Sequence, residues 1–422
     1  MATVRSLRAL HYDLARTGGL QAVAAPPYDV IDDADRAALL AGSTHNVVEI
    51  DLPRADGGDP YAHAAATLQA WLAEGIVVRD ETPAVWALEQ DYTGPDGQPY
   101  RRHGFLARVR VEDYGPGRIR PHERTHPGPK EDRLRLTRAT QANLSPIFSL
   151  YDDPANAAWN ALAPHTTGAP WGEVSDADGT THRLWRVQDE QAIATLTEAL
   201  AATELLIADG HHRYETARVY AEEVGGEGGH SYVLMCLVAL QDPGLTVFPT
   251  HRLLSGLDEN RREQLYEALR RDWHFEPVEQ AALQPSPTDD GPVQIGFLDA
   301  RDSHAAMLTI KDQSIIDAAL ADKPPAYREL DTAVLEALVL KGALGMTEDD
   351  ISHFRGLAYS RSTAEALAQV SAGAADAAFF MGPTPVSRVR AVAAAGETMP
   401  PKSTYFYPKV LTGLVFNPLD QV

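Results

Sequence analysis

One cysteine, Cys236, occurs in the 422 residues, so no disulfide can form within the chain. Its place inside the apolar run "YVLMCLVAL" makes it a buried structural thiol rather than a nucleophile. Long apolar runs are missing too. The longest, Tyr232 to Leu240, is far too short to span a bilayer, and the opening "MATVRSLRALHYD" lacks the apolar core of a signal peptide. The expectation is a cytoplasmic protein with no membrane partner. Positive charge is scarce as well: 37 Lys and Arg stand against 59 Asp and Glu, a formal net charge of −22. Such a chain repels a phosphate backbone, so nucleic acid is not an expected partner, while small anions can still be held by a local cluster of cations. Neither G-x-x-x-x-G-K-[ST] nor a Gly-rich dinucleotide fingerprint occurs, and standard P-loop and NAD domains are not expected.

What is present has the composition of an ordinary globular chain, 44% hydrophobic and 23% charged, long enough for two or three domains with cores of their own. Residues 61–74 place Tyr61, Ala65, Leu68 and Leu72 on one face ahead of Gly75, an amphipathic helix with its stop. A hairpin follows, made of "AVWALEQDY", the turn "TGPDGQP" and "HGFLARVRVEDY", and the Gly/Pro-rich stretch 113–130 reads as irregular. Next come a helix over 190–200, a strand "ELLIAD", a helix from about Arg213 with Tyr214, Ala217 and Val224 inward, and a buried strand over 231–240. Beyond "QPSPTDDGP" (284–292), the strands "VQIGFL", "AAMLTI" and "DAAFFM" alternate with helices over 327–340, 363–372 and 385–395. The expected fold class is α+β, with a region 1–283 carrying an insertion at 84–150 and a C-terminal α+β domain over 293–422.

His122-Glu123-Arg124-Thr125-His126 matches H-E-x-x-H. Zinc binding by that pattern needs both histidines one turn apart on a continuous helix. Pro127-Gly128-Pro129 is expected to end any helix there, and Pro127 biases His126 away from the α region. The zinc-protease reading is therefore set aside. The same stretch is the most basic in the chain, and most of its charges read as a solvated face. Lys130 and Arg133 are the candidates for holding a phosphate or carboxylate.

In "IADGHHRYETA", a strand runs through Asp209-Gly210 into a helix. Gly210 lets the backbone turn and a ligand come close, and the helix start offers unpaired N–H groups and partial positive charge to an anion. His211, His212 and Arg213 add donors there, and Asp209 is a candidate ligand for Mg²⁺ bridging phosphates. "APPYDVI" places Tyr28 and Asp29 to line a pocket. "MPPKSTYFYPK" sets Lys402, Ser403, Thr404 and Lys409 among aromatics, and "PTHRLL" adds His251 and Arg252. For these last three stretches a Pro-fixed turn or a surface loop is an equally good account.

Taken in order from Ala25 to Leu414, "APPYDVI", "HERTHPGPKEDRLRLT", "ADGHHRYETA", "PTHRLL" and "MPPKSTYFYPKVLTGL" resemble the successive motifs of domain-of-unknown-function family 1015. That label implies no activity. "DGHHR" is also similar to the phosphate-binding signature of the ParB/sulfiredoxin superfamily, in the version found in ParB-like kinases of free L-serine. This second resemblance implies a ParB/sulfiredoxin-like phosphate-binding core with the β-hairpin as an insertion. It implies contacts from Asp209, Gly210, His211, His212 and Arg213 to nucleotide phosphates or Mg²⁺, with Asp209 and His212 in catalytic roles. Such kinases use a glutamate upstream of the signature as general base, and Glu123 is the candidate by residue type and position.

Three functions stay open. The first is a kinase using ATP or ADP on a small hydroxyl acceptor such as free L-serine. There Lys402 or Arg133 would hold the acceptor's carboxylate, and Glu123 or Asp29 would take its proton. The others are a nucleotide-binding regulatory switch and a metal-dependent phosphohydrolase with histidine ligands.

Overall fold

The computed structural model describes residues 2–55, 57–94, 97–123, 127–286, 291–301, 303 and 305–420. The chain divides into two compact units, the first formed by Met1–Pro121, Thr125–Thr246 and Pro408–Val422, the second by His122–Arg124 and Val247–Tyr407. The division thus falls at Thr246 rather than near residue 283, and the end of the chain returns to the first unit. Short pairings hold it there: Asn417–Pro418 runs antiparallel to Ala142–Asn143, and Phe416 and Thr412 bridge to Leu10 and Ala25. Such a return costs only loop-closure entropy and leaves no mark in local sequence.

Among the described residues, the first unit carries a nine-stranded sheet. Across it lie Ile119–Arg120, Leu205–Asp209, Ile147–Tyr151, Tyr232–Ala239, Pro99–Arg110, Val85–Thr93, Thr181–Val187 and Gly172–Ser175, with Val4–Arg5 also paired to Pro99–Arg110. Two pairings are parallel, Leu205–Asp209 with Ile119–Arg120 and Tyr232–Ala239 with Ile147–Tyr151; the rest are antiparallel. The hairpin expected as an insertion is therefore built into the sheet, since Pro99–Arg110 pairs with Val85–Thr93 on one side and Tyr232–Ala239 on the other. Phe105, Leu106 and Ala107 are all buried, as a strand covered on both faces requires. Cys236 lies buried in the neighbouring strand, where burial pushes its thiol up to about 12.

Local signals set the helices. Pro60–Glu74 opens on Asp59, whose carboxylate accepts from the Tyr61 N–H at 3.0 Å, and closes at Gly75 with φ 69°. Its buried stripe is Ala64, Leu68 and Trp71, while Ala65 and Leu72 are half-buried, because the large indole rather than Leu72 takes the inward position. Pro127-Gly128-Pro129 opens the helix Pro127–Thr140 instead of ending one. Proline's missing N–H is no loss in a first turn. His122 and Glu123 stand outside any helix, and Arg124, Thr125 and His126 lie outside the described residues. The helix after the "DGHHR" turn is His211–Val224, starting two residues earlier than expected; its inward side chains include Tyr214 and Ala217, and Val224 is 51% exposed at its end.

Among the described residues of the second unit, six strands pair antiparallel in the order Trp273–Pro277, Ala305–Ile310, Gln294–Asp299, Ala377–Phe380, His251–Leu254, Leu357–Ser360. Leu253, Leu298 and Phe380 pack there against Ala366 and Val370 of the helix Thr363–Ser371. The expected helix 327–340 is broken once, between Pro325–Arg328 and Asp331–Leu335, where Leu330 takes extended dihedrals; Asp331–Leu335 then runs on into the wider-turned Glu336–Lys341. No helix of the described residues is long and apolar enough to cross a membrane.

Candidate functional site at the 209–213 turn

Where Leu205–Asp209 pairs with Ile147–Tyr151, the register shifts between Ile207 and Asp209. A bulge of this kind bends a strand and re-aims its side chains. Gly210 follows with φ 95°, and a Cβ there would stand 2.9 Å from Arg213 Nε, so both backbone and space demand glycine. The helix His211–Val224 begins at once, and no side chain caps it. A helix start of this kind carries partial positive charge.

Arg213, one turn into that helix, folds back over the turn. Its Nη2 donates to Asp209 Oδ2 at 2.6 Å and its Nη1 to the Pro146 carbonyl, while its Nε is buried without a hydrogen-bond partner. Lys409 donates to the other oxygen, Asp209 Oδ1. Burial by itself would push the Asp209 carboxyl up, but Lys409 and Arg213 outweigh it and hold the group far below the ordinary carboxylate range. The turn thus joins one ionised acid to two cations beside an uncapped helix start. His211 is buried and adds to the field on Asp209, and His212 is half-buried.

A second polar cluster adjoins Arg213. The buried Arg133 donates through Nη1 to the Asp51 carbonyl at 2.6 Å and to Asp51 Oδ1 at 3.3 Å, and through Nε to Asp132 at 2.7 Å. Ser145 Oγ donates to Asp51 Oδ2 at 2.9 Å and accepts from Thr412 at 3.1 Å. Burial raises the Asp51 carboxyl even though Arg133, Ser145 and Arg213 oppose it. The Tyr28 ring lies 4.2 Å from the Arg133 guanidinium. Burial pushes its phenol up to about 12, against the pull of Arg213 and Arg133. Asp51, Ser145, Arg133 and Arg213 line a cavity of about 40 Å³ together with Thr137 and Thr216.

Of the residues singled out in the sequence, Tyr28, Arg133, Asp209, Gly210, His211 and Arg213 come together here. Asp29 is exposed and acts on the Tyr28 phenol. Lys130 is tied in by its main chain, whose carbonyl accepts from Thr216 Oγ1 at 3.4 Å. Glu123, Lys402 and Ser403 belong to the second unit. There Glu123 Oε1 lies 3.9 Å from Nε2 of the buried His122. Lys402 is exposed at φ 56°, its carbonyl accepting from Arg252 at 3.2 Å. Ser403 is buried and spends its hydroxyl on the Pro400 carbonyl at 2.7 Å, with Thr332 Oγ1 at 3.0 Å, which is the geometry of a structural tie.

Sequence reasoning left Asp51, Ser145 and Lys409 outside the site. "YFYPKVL" did put Lys409 among candidate loop residues, whereas nothing around Asp51 distinguishes it from a solvated acid. Mg²⁺ ligation by Asp209 does not fit this arrangement, because both carboxylate oxygens already face cations. Among the described residues, no three His, Cys, Asp or Glu side chains gather as a metal-binding group.

Fold and site together define a mixed α+β protein of several sheets, with a strand-to-helix turn that joins one acid to two cations. Residues 4–333 match the family described as Protein of unknown function (DUF1015), and the chain belongs to that family. The stretch Met399–Leu414 lies beyond the matched residues. No curated protein matches the chain. Among solved structures it is similar to a conserved hypothetical protein from Pyrococcus furiosus, at 13% identity over 73% of this chain and 95% of that one, TM-score 0.36. It is similar to free serine kinase in complex with AMP, at 14% identity over 72% and 87%, TM-score 0.34. It is also similar to SbnI with a C-terminal truncation from Staphylococcus aureus, at 14% identity over 73% and 85%, TM-score 0.36. Likenesses this distant give no residue a role.

Proposed function

We propose that the first unit binds a nucleotide by its phosphates at the 209–213 turn and passes a phosphoryl group to the hydroxyl of a small acceptor. The observation that carries this reading is the pairing of Asp209 with Arg213 and Lys409 at an uncapped helix start. Phosphoryl transfer asks a protein mainly for positioning and for charge neutralisation. Two cations supply the neutralisation, and Asp209 holds the cations in place. The acceptor oxygen attacks the terminal phosphorus, the bond to the bridging oxygen breaks, and the acceptor proton passes to a carboxylate. Asp29 remains a candidate for that base. Asp51 joins it, since it shares a cavity with Arg213 and its carboxyl is raised by burial.

L-serine is the first acceptor to try, by the likeness of "DGHHR" to the signature of serine kinases. Purified protein would be incubated with L-serine and either ATP or ADP, with and without Mg²⁺, and O-phosphoserine sought by mass spectrometry. The expected result is product from the wild type, with about a 100-fold loss in Arg213→Gln, the scale of one missing electrostatic contact in a transition state. Nucleotide consumed at the same rate without an acceptor would favour the switch or hydrolase instead. Failure of every nucleotide to raise the melting temperature would refute nucleotide binding altogether.

A further inference from the structure

The pairing of Val4–Arg5 with Pro99–Arg110 sets Arg5 directly opposite Arg108. Like charges opposed in this way destabilise a sheet. Both guanidiniums lie over the Tyr232 ring, at 5.2 and 5.0 Å from its centre, which eases the repulsion without cancelling a charge. Arg8 and Arg79 line the same open groove of about 650 Å³, with Ser6 and Thr197 adding hydroxyls. One carboxylate lies there, Asp420, which Arg79 engages at 2.8 Å.

In a chain of net charge −22, carboxylates are plentiful, and other arginines of this unit have them. Arg101 meets Asp91 at 2.6 Å, Arg120 meets Glu204 at 2.8 Å, and Arg183 meets Glu173 at 2.6 Å. Arg5 and Arg108 make no such pair among the described residues. Arg5 feels Glu227 only at longer range, and that carboxylate is already held through both oxygens by Arg110. Arg108 Nε is buried with no hydrogen-bond partner. An anion in the groove would offset the repulsion between the opposed Arg5 and Arg108 guanidiniums, which no carboxylate of the described residues does by pairing with either.

We propose that this groove is a second anion site, separate from the 209–213 turn, which takes a small polyanion bearing phosphates or carboxylates. The fork of a guanidinium matches either group in two-point fashion. The overall negative charge argues against a nucleic acid as the occupant.

Inorganic pyrophosphate and citrate are the two probes, titrated calorimetrically into the full chain. The Arg213→Gln variant serves as background, so that binding at the proposed nucleotide site is weakened separately. The expectation is that one probe or both bind in that background, and that adding Arg108→Gln weakens binding about tenfold or more, the scale of one charge-assisted contact. Because Arg108 is half-buried, Arg8→Gln is the second variant; it changes an exposed side chain and is expected to weaken binding about threefold or more. Absence of binding by either probe at millimolar concentration would overturn the proposal. So would binding unchanged in both added variants, the mark of an adventitious ion only.

Discussion

Lys409→Met tests whether the 209–213 turn is an electrostatic unit or a chance meeting of side chains. The substitution keeps the apolar stem and removes only the ammonium from Asp209 Oδ1, leaving Arg213 on Oδ2 at 2.6 Å. Asp209 and Lys409 are each 16% exposed, so solvent replaces the lost partner poorly. Stranding a buried charge completely costs about 3–5 kcal/mol. With Arg213 still in place, roughly half of that applies, about 2 kcal/mol, or a melting temperature lower by about 4–8 °C for a unit of this size.

The effect also depends on pH in a defined direction. The folded Asp209 carboxyl is held far below its ordinary value, so its contribution is complete above the unfolded value of about 4 and fades as pH falls below it. In Lys409→Met the folded carboxyl moves back up, and less stability remains to lose. The gap between the two proteins should therefore be full at pH 7 and narrow only once pH falls below the folded value of the variant's own carboxyl, since the unfolded value is common to both. Urea unfolding across that range measures it, with Lys402→Met, an exposed lysine, as a control that should change stability by no more than about 0.5 kcal/mol. A Lys409→Met protein as stable as the wild type at pH 7 would refute the reasoning.

Two further outcomes are expected. Gly210→Ala should cost about 1–3 kcal/mol in urea unfolding, because φ 95° suits glycine alone and the new methyl would meet Arg213 Nε at 2.9 Å; no loss would mean the turn relaxes freely. His251, buried in the second unit, accepts from the Met381 N–H at 3.1 Å and meets Thr363 Oγ1 at 3.0 Å, and burial together with Arg252 pushes its pKa down to about 4. Since an unfolded histidine titrates near 6.5, up to about 3 kcal/mol of stability should drain away as pH falls from 6.5 toward 4. His251→Asn should flatten that slope, and an unchanged slope would show that other groups set it.

Much of the local architecture was legible in sequence. Asp59 and Gly75 bracket the helix 60–74, and the apolar run around Cys236 is the fully buried strand Tyr232–Ala239. The "DGHHR" turn does join a strand to a helix, with its glycine at positive φ. These features rest on caps, periodicity and backbone dihedrals, which depend on neighbours within a few positions. Pro127-Gly128-Pro129 misled for a related reason, since proline stops a helix or opens one depending on where the tertiary structure begins its turns.

What only the tertiary structure decided is which charges meet. Lys409 reaches Asp209 across 200 residues of chain, Asp51 links Arg133 to Ser145, and the hairpin expected as an insertion is the middle of a sheet. Sequence singled out Asp209 and Arg133 as candidates but showed none of their pairings, and Asp51 read as one solvated charge among many. An ion pair is made by distance through space and by exclusion of water, and neither quantity is a property of a residue's neighbours along the chain.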